Sequence, residues 1–244
     1  MSNTKISLSE TTGVILAGGL GSRLRLSVTD RPKVMAEVKG RPFISYLLDH
    51  LYKTGMTKIV ISTGYMADFI ERTLGNSYKG LEIIYSRENK PLGTGGALKL
   101  GHSHIHSQHV LVMNGDTFVD FDFKEFFSEH LRAKSLVSLL LCEVEDVRPY
   151  GSVKVDGHGC ITTFVEKGHD LQTGWVNAGS YLISSNTLEK LPSPKKFSIE
   201  SDFFPKLIGR REMIGFCSNK RLHDIGTPDS YRYFLSKMTD KKNN

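Results

Sequence analysis

Two basic residues follow a cluster of glycines near the start of the chain. The stretch GVILAGGLGSRLRLSVTDRPK, at 13–33, contains a strand-like apolar run, the glycines, and then Arg23 and Lys33. An arginine grips phosphate oxygens with a planar fork, whereas a lysine acts as a point charge. Two cations that approach one phosphate chain from separate positions suit a reaction at phosphorus. A glycine turn followed by two solvated bases would give the same pattern without any function.

The glycine loop matches neither of two common nucleotide-binding patterns. The dinucleotide pattern GxGxxG would start at Gly19, but Leu24 occupies its third glycine position. No acidic residue ends a second strand about 20 residues later, where that fold places a ribose ligand. The Gly-Lys-Ser/Thr ending of a Walker loop is also missing. The loop therefore needs another explanation.

The elements that must position these residues alternate along the first half of the chain. Strand-like runs occur in GVILA, KIVIST, LEIIYS and HVLVMNGD, and helical patterns separate them at 42–53, in MADFIERTL and after a second glycine cluster. Such alternation predicts an α/β fold with a mostly parallel, right-handed, doubly wound sheet. Ligands bind beyond the carboxyl ends of the strands in such sheets, which is where the glycine loop lies.

The second half of the chain has a different pattern. Strand-like runs follow one another closely with glycine turns between them, which predicts antiparallel strands and hairpins added to the sheet. No linker, repeat or low-complexity segment interrupts the sequence. We therefore expect a single domain over residues 1–244, with subregions at about 11–120 and about 121–240 and a closing helix at about 228–237.

Composition limits the classes of partner. The 244 residues carry a formal net charge of +6 with scattered Lys and Arg, which favours phosphorylated small molecules over nucleic acid. No apolar run approaches the ~18 residues of a membrane helix, and the first ten residues lack a signal-peptide core, so we expect neither membrane insertion nor secretion. The cysteines are odd in number and lack CxxC spacing, which predicts buried, reduced thiols in the cytoplasm at Cys142, Cys160 and Cys217.

The opening stretch resembles the signature of the sugar-1-phosphate nucleotidyltransferases, LAGGxGTRLxPxTxxxPK. Ser22 replaces the threonine of that signature and Leu26 replaces its first proline. Five further segments resemble family motifs in the family's order, namely PLGTGGAL, NGD, FVEK, VNAGSYLI and HDIGTPDSY. Each motif is weak alone, but six in order cover nearly the whole chain and make the resemblance specific. RPFISYLLDHL and FSIESDFFPKL are most similar to the heptose 1-phosphate guanylyltransferases, although mannose 1-phosphate guanylyltransferases share several such features.

The resemblance implies a Rossmann-like sheet of the glycosyltransferase-A type and a specific reaction. A sugar 1-phosphate oxygen would attack the α-phosphorus of a nucleoside triphosphate, with GTP expected, and expel pyrophosphate. Because the nucleophile is already an anion, catalysis would rest on alignment and charge neutralisation rather than on a strong base. The first subregion would bind the nucleotide and the second the sugar phosphate.

The resemblance also assigns the catalytic and metal-binding residues. Lys33 would neutralise the triphosphate, Arg23 the leaving pyrophosphate, and Lys167 would hold the phosphate of the sugar. Asp116 and Asp224 would bind Mg²⁺, a hard cation that accepts few protein carboxylates and leaves positions for phosphate oxygens. Either aspartate could instead cap a helix or a turn.

The remaining expected contacts belong to the base, the ribose and the sugar. Glu88 could accept hydrogen bonds from guanine N1–H and N2–H, although it could equally be a solvated loop charge. The other expected nucleotide contacts are Leu16, Ala17, Gly18, Gly19, Gly21, Ser22, Gly93, Thr94 and Gly95, and the expected sugar contacts are the backbone at Gly151 and the side chains of Glu166 and Asn177.

Several alternatives stay open from the sequence. The chain could be a mannose 1-phosphate guanylyltransferase, or a uridylyl, thymidylyl or cytidylyl transferase of the same fold. It could also be a regulatory binding module without catalysis, but a pure binder needs no metal pair. A homo-oligomer is left open. The segments HSHIHSQH and FDFKEFF predict a helix end with a loop, and a helix entry with core aromatics, respectively, rather than sites.

Overall fold

The structure is a computed structural model that describes residues 11–24, 27–165, 172–192, 195–209 and 211–240. In chain order the first half contains β1 (Thr11–Leu16), β2 (Glu37–Val38), β3 (Arg41–Pro42), α1 (Ile44–Lys53), β4 (Lys58–Thr63), α2 (Ala67–Leu74), β5 (Ser77–Tyr78), β6 (Leu81–Arg87), α3 (Gly93–Gly101) and β7 (His109–Asn114). The second half contains β8 (Thr117–Phe118), α4 (Phe123–Ala133), β9 (Val137–Val144), β10 (Ser152–Val155), β11 (Ile161–Val165), β12 (Gly174–Ser184), α5 (Ser185–Glu189), β13 (Met213–Ser218), β14 (His223–Asp224) and α6 (Pro228–Asp240).

Parallel strands form the centre of the main sheet. The order β7-β1-β4-β6 is parallel throughout, with Val14 of β1 paired with both Val60 of β4 and Val112 of β7. These β-branched residues favour a pleated, buried strand. Since parallel neighbours all end at one edge, the segments that follow β1, β4, β6 and β7 meet there.

Antiparallel strands extend the sheet on the β7 side. The long strand β12 runs antiparallel to β7, β9 and β10, and β10 pairs antiparallel with β11. This confirms the antiparallel additions predicted for the second half. One strand differs, because β13 runs parallel to β9. A local turn cannot make a parallel pair, so β13 reaches β9 through the long connection that includes α5 and a short π-helical turn at Ile199–Phe203.

Two apolar cores cover the two faces of the sheet. Alternate residues of a strand point to opposite faces, so Leu111 and Met113 of β7 belong to one core, whereas Val110 and Val112 belong to the other. Helices α1, α2, α4 and α6 contribute to the first core, and α3 and α5 contribute to the second. Helices on both faces confirm the doubly wound arrangement.

Local sequence signals explain where several helices begin. Asp122 caps α4, because its carboxylate accepts hydrogen bonds from the backbone N–H groups of Lys124 at 2.8 Å and Glu125 at 3.2 Å. The aromatic segment around it is helix entry and core, as predicted. The histidine-rich segment forms a 3₁₀ turn at His102–His104 and a loop before β7, also as predicted. The helix expected from Pro42 begins at Ile44 instead, because Arg41–Pro42 pairs with Glu37–Val38.

The cysteines correct one expectation. All three are free thiols, but only Cys142 is buried, whereas Cys160 is half-buried and Cys217 is exposed. Cys217 lies on β13, which pairs along its length with β9 and on its other side forms an isolated bridge from Ile214 to Cys160. No helix within the described residues is long and apolar enough to cross a bilayer.

Candidate active site

The glycine loop after β1 packs against Lys33. Gly21 has φ +59°, and a Cβ built there would lie 2.9 Å from the Cβ of Lys33, so only glycine fits at this turn. The loop is also held to the strand edge, because the Tyr65 N–H donates to the Gly18 carbonyl at 3.3 Å. The Lys33 side chain therefore lies against the backbone of the glycine loop at Gly21.

Lys33 forms an ion pair with Asp116. The Lys33 ammonium donates to Asp116 Oδ2, and the two side chains are 16% and 29% exposed. Charges that are partly removed from water are screened less by salt than exposed ones. The sequence analysis predicted Lys33 at the triphosphate and Asp116 at the metal ion, and the structure brings the two side chains into contact.

A short strand pair brings Asp116 and Asp224 together across the length of the chain. Asp224 of β14 pairs with Thr117 of β8, and the Ile225 N–H donates to the Asp116 carbonyl at 2.9 Å. Because β8 directly follows Asp116, both carboxylates lie at the edge where β7 ends. The predicted carboxylate pair is therefore assembled by tertiary structure.

Asp224 is held by two neutral donors. Tyr150 donates its hydroxyl to Asp224 Oδ2 at 2.6 Å, and the Gly226 N–H donates to Oδ1 at 2.9 Å. Burial, together with the neighbouring Asp224 carboxylate, raises the pKa of Tyr150, so the phenol stays protonated and keeps donating. Arg23 lies close to the same turn, since a Cβ built on Gly226 would lie 3.1 Å from Asp224 Oδ1 and 3.7 Å from Arg23 Nη2.

A cavity of about 420 Å³, the loop cavity, lies along the glycine loop. Its walls contain eleven of the residues predicted from the sequence, namely Leu16, Ala17, Gly18, Gly19, Gly21, Ser22, Lys33, Glu88, Gly93, Thr94 and Asp116. Six further residues that the sequence reasoning missed also line it, namely Leu20, Val34, Pro91, Ala97, Asn114 and Lys196.

Glu88 lies in the wall of the loop cavity. Its Oε2 accepts a hydrogen bond from the Leu92 N–H at 3.1 Å, and a Cβ built on Gly18 would lie 2.8 Å from its Oε1. Burial raises the pKa of this carboxyl. Glu88 is therefore half-buried beside the glycine loop and not a fully solvated loop charge.

Gly95 does not line the cavity, contrary to the prediction for the second glycine cluster. It is buried, and a Cβ built there would lie 2.1 Å from Phe197 Cε2. Its N–H donates to the Phe197 carbonyl at 3.1 Å. The glycine at this position serves the packing of α3 against the segment around Phe197.

A second cavity of about 760 Å³, the β12 cavity, adjoins the first. Gly93, Thr94, Asn114 and Asp116 line both cavities, so the two adjoin along these residues. Of the residues predicted from the sequence, Arg23, Asn177 and Asp224 also line the β12 cavity, and the residues that sequence reasoning missed include Thr117, Tyr150, Phe164, Ser198, Glu200, Thr227 and Ser230.

The remaining residues predicted to contact the sugar phosphate are Gly151, Glu166 and Lys167. Gly151 is buried and is not among the residues that line the β12 cavity, and its N–H donates to the Val147 carbonyl at 2.8 Å. Tyr150, one position earlier, lines the cavity and contacts Asp224. Glu166 and Lys167 lie outside the described residues.

Several of the missed residues lie inside the family-like motifs, among them Pro91, Asn114 and Thr227, whereas Glu200 and Lys196 carried only weak sequence signals. Glu200 lies in the segment FSIESDFFPKL, which had served to mark a subfamily resemblance, not a site. Lys196 is separated from the glycine loop by most of the chain. Only the packing of this segment against α3 brings both residues to the cavities.

The two aspartates fit a divalent metal ion of the magnesium type. No group of three or more His, Cys, Asp or Glu side chains among the described residues could hold a metal. Mg²⁺ is commonly held by one or two carboxylates together with substrate phosphates, and its hard oxygen ligands match Asp116 and Asp224. Asp116 lines both cavities and Asp224 lines the β12 cavity, so the pair lies beside the wall that the two cavities share.

The chain is similar in sequence to two sugar 1-phosphate guanylyltransferases. A D-glycero-alpha-D-manno-heptose 1-phosphate guanylyltransferase of Aneurinibacillus thermoaerophilus is 37% identical over 219 residues, 90% of this chain and 94% of the relative. A mannose-1-phosphate guanylyltransferase of Mycobacterium tuberculosis is 32% identical over 221 residues, 89% of this chain and 62% of the relative.

Solved structures show the same architecture. The crystal structure of HddC from Yersinia pseudotuberculosis superposes with a TM-score of 0.83 at 38% identity, covering 93% of this chain and 99% of that chain. A second crystal structure of HddC, complexed with GMP-PN, gives a TM-score of 0.82 at 36% identity with the same coverage. The family described as nucleotidyl transferase matches residues 12–241. The chain therefore belongs to the nucleotidyl transferase family.

Proposed function

We propose that the chain transfers GMP from GTP to D-glycero-α-D-manno-heptose 1-phosphate, releasing pyrophosphate and forming a GDP-heptose. The observation that carries this proposal is that the loop cavity and the β12 cavity adjoin, with Asp116 lining both. One cavity would hold the nucleotide and the other the sugar 1-phosphate, so that the α-phosphorus lies between them. The names of the guanylyltransferase relatives and the HddC complex with GMP-PN support the choice of guanine.

The reaction is a displacement at phosphorus. An oxygen of the sugar phosphate forms a bond to the α-phosphorus, and the bond from that phosphorus to the bridging oxygen of pyrophosphate breaks. The nucleophile carries a negative charge already, so the protein needs to align the reactants and neutralise charge. The cavities offer cations, backbone amides and carboxylates for this purpose.

The basic residues neutralise phosphate charge in this proposal. Lys33 lies along the glycine loop and exchanges part of its contact with Asp116 for triphosphate oxygens. Arg23 lines the β12 cavity near Asp224 and takes the leaving pyrophosphate. Lys167 holds the phosphate of the sugar. Asn177 and Glu166 bind sugar hydroxyls, and Tyr150 replaces Gly151 as the contact from its loop.

Members of the family generally use a divalent metal ion. We infer Mg²⁺, with Asp116 and Asp224 as its protein ligands. When bound, it neutralises charge on the phosphate oxygens and aligns the reacting groups. Tyr150 and the Gly226 N–H orient the Asp224 carboxylate for this role.

Glu88 is the proposed reader of guanine. A carboxylate accepts from N1–H and N2–H together, and uracil or thymine cannot match that pair of donors. Its Oε1 faces Gly18, and its Oε2 is oriented by the Leu92 N–H. This half-buried position lets Glu88 discriminate against bases that leave it unpaired.

The remaining features of the proposal concern organisation and compartment. The chain forms one domain, with the nucleotide in the subregion at about 11–120 and the sugar phosphate in the subregion at about 121–240. Free thiols at all three cysteines favour the cytoplasm, where glutathione keeps thiols reduced.

A second candidate substrate is mannose 1-phosphate. The similarity to the mannose-1-phosphate guanylyltransferase of Mycobacterium tuberculosis favours it. Heptose and mannose differ by one hydroxymethylene group, which a pocket discriminates by only about 1–3 kcal/mol. We therefore expect measurable activity with mannose 1-phosphate and a higher kcat/KM with the heptose.

The test is pyrophosphate release across GTP, ATP, CTP, UTP and dTTP with each of the two sugar 1-phosphates. We expect GTP with the heptose to have the highest kcat/KM. Glu88→Gln should reduce the kcat/KM for GTP by roughly 10²-fold, within the ~10⁴-fold range for a site with unpaired polar groups. Glu82→Gln, at an exposed position on the same strand β6, is the matched control. Preference for UTP or dTTP would refute the guanine assignment, and a preference for mannose would move the sugar assignment to the second candidate.

A further inference from the structure

Glu200 is a buried carboxylate that the mechanism above does not use. Its residue is 9% exposed, and it lines the β12 cavity. Within the described residues no basic side chain forms an ion pair with it, and its oxygens instead accept hydrogen bonds from hydroxyls. The donors are Tyr181 at 3.0 Å to Oε1, Ser198 at 2.8 Å to Oε2, and Thr94, also to Oε2.

One branch of this network runs to the proposed sugar side. Asn177 donates from Nδ2 to the Tyr181 hydroxyl at 2.9 Å, and Tyr181 donates onward to Glu200. Asn114 donates to the same hydroxyl at 3.4 Å. Asn177 Oδ1 accepts from the Gly179 N–H at 3.0 Å, which fixes the orientation of its amide. The carboxylate of Glu200 thus terminates a chain of donors that begins at Asn177, which lines the β12 cavity.

The other branch runs to the second nucleotide loop. Thr94, in the first turn of α3, lines both cavities. Its hydroxyl donates to Glu200 and accepts from the Ile199 N–H at 2.9 Å, which fixes its rotamer. The Phe197 N–H donates to the Leu92 carbonyl at 3.0 Å, so the backbone of the same segment also pairs with this loop. Glu200 therefore ties one residue of the nucleotide loop to the β12 cavity.

We propose that Glu200 is a positioning residue that sets Thr94 on the nucleotide side and Asn177 on the sugar side at the same time. This inference rests on the proposed function, because it assigns the two branches to the two substrates. Glu200 holds the shared wall of the two cavities in one arrangement, so that both substrates meet a preformed site. Its effect on either substrate passes through a neighbour, Thr94 or Tyr181.

The role requires a carboxylate and not merely a polar side chain of the same size. All three hydroxyls donate to Glu200, and the Tyr181 hydroxyl cannot reverse without losing the hydrogen bond from Asn177. A glutamine has one acceptor oxygen and one NH₂ donor. Its NH₂ group would face either Tyr181 or the Thr94 and Ser198 pair, so the hydroxyls on that side lose their carboxylate acceptor and must reverse to keep a hydrogen bond, while the packing volume is kept.

The experiment is a double-mutant cycle on steady-state kinetics with GTP and the heptose 1-phosphate. The variants are Glu200→Gln, Thr94→Val and the double variant for the KM of GTP, and Glu200→Gln, Tyr181→Phe and their double variant for the KM of the sugar. Each single change removes a buried hydrogen bond to a charged group, and we expect it to raise the corresponding KM roughly tenfold. If Glu200 acts through these neighbours, each double variant matches its more affected single variant instead of multiplying the effects.

Matched controls separate positioning from simple stabilisation. Thr94→Ser keeps the donated hydroxyl and should raise the KM of GTP less than Thr94→Val does, whereas Glu189→Gln, at an exposed position on α5, should change neither KM. Multiplicative effects would overturn the proposal. So would a Glu200→Gln variant that unfolds at a lower temperature while both KM values stay within twofold of wild type.

The outcome is distinguishable from failure of the proposed function. Wild-type pyrophosphate release is measured first, and its absence with every substrate pair refutes the function itself. Thr94→Val and Tyr181→Phe keep the proposal open to refutation if Glu200→Gln does not fold, because each removes a single hydroxyl from one branch. Unchanged KM values in both of these variants would overturn the coupling even then.

Discussion

At the scale of single residues, Asp116 and Asp224 differ in what holds them. Asp116 is paired with the Lys33 ammonium, whereas Asp224 accepts hydrogen bonds from the Tyr150 phenol and the Gly226 N–H. A cation partner can be exchanged for another cation when substrate arrives. Neutral donors instead fix the orientation of a carboxylate and leave its negative charge available to a cation. In the proposed metal site the pair would therefore combine one exchangeable and one oriented carboxylate.

We expect Asp116→Asn and Asp224→Asn each to lower kcat at least ~10²-fold, the scale of losing one stabiliser of transition-state charge. The substitution keeps the side-chain size but removes the negative charge on which a hard cation depends. The measurement is turnover at saturating Mg²⁺ and substrates.

Asp68→Asn is the matched control for these two variants. Asp68 lies on α2 in an exposed ion pair with Arg87, away from both cavities, and exposed pairs contribute little. Its kcat should equal that of wild type. Near wild-type turnover in either Asp116→Asn or Asp224→Asn would remove that carboxylate from the metal site.

At the scale of elements, α3 is positioned by what packs against its first turn. Phe197 lies against the bare backbone of Gly95, and its carbonyl accepts the Gly95 N–H. The segment that carries Phe197 also carries Glu200 and Lys196, which line the cavities. Close packing of helix and segment therefore places residues from distant parts of the chain around one site.

Gly95→Ala should destabilise the protein by about 1–3 kcal/mol, the usual cost of forcing an extra methyl group into a packed contact. The built Cβ lies 2.1 Å from the Phe197 ring, so the ring or the helix must shift. Gly101→Ala, in the last turn of α3, is the matched control. Its nearest contacts are at 3.6 Å, and alanine favours helix over glycine by roughly 0.5–1 kcal/mol.

Urea unfolding monitored by circular dichroism measures both variants. A Gly95→Ala protein as stable as Gly101→Ala would contradict the packing role assigned to Gly95. The double variant Gly95→Ala/Phe197→Ala should be destabilised by less than the sum of the two single destabilisations, because removing the ring relieves the clash.

At the scale of the whole molecule, stability depends on a buried polar cluster between α4 and the sheet. His130 is 1% exposed, and its Nδ1 lies 2.7 Å from the Ser138 hydroxyl and 3.2 Å from that of Ser135. Its Nε2 lies 3.3 Å from His109 Nδ1. Burial, with a smaller effect from His109, lowers the pKa of His130 to about 4. Both histidines are therefore neutral in the folded protein near pH 7.

We expect the free energy of unfolding to fall as the pH decreases from about 6.5 toward about 4. The unfolded chain binds a proton at His130 near pH 6.5, whereas the folded chain resists until about pH 4, so stability rises with pH in that window. The loss can reach about 3 kcal/mol, at 1.36 kcal/mol for each pH unit between the two pKa values. Burial lowers the pKa of His109 as well, which adds in the same direction.

Urea unfolding of wild type and His130→Gln at pH 8, 7, 6 and 5 tests this dependence. The variant should be less stable at pH 8 but lose less stability on acidification. If the free energy of unfolding fell equally with decreasing pH in both proteins, His130 would not be the source of the pH dependence. Asp49, whose pKa is lowered to about 2 by hydrogen bonds from Lys79, Arg41 and Tyr78 despite its burial, titrates below this range and does not interfere.

The sequence determined those features that depend on local patterning or on motif chemistry. Alternating strand and helix patterns gave the doubly wound sheet, and the motif at 114–116 placed Asp116 at the end of β7, since side-chain periodicity and turn chemistry are read within a few residues. Arg23, Lys33 and the glycine loop were likewise predicted at a strand end, where both cations now line the cavities.

The tertiary structure alone decided which of these residues meet. The pairing of β14 with β8 joins Asp224 to Asp116, and the packing of Phe197 takes Gly95 away from the cavity. The same packing brings Lys196 to the loop cavity and Glu200 to the β12 cavity, and the parallel pairing of β13 with β9 had no local signal. Contacts between segments far apart in the chain depend on close packing of the whole core, which local periodicity does not encode.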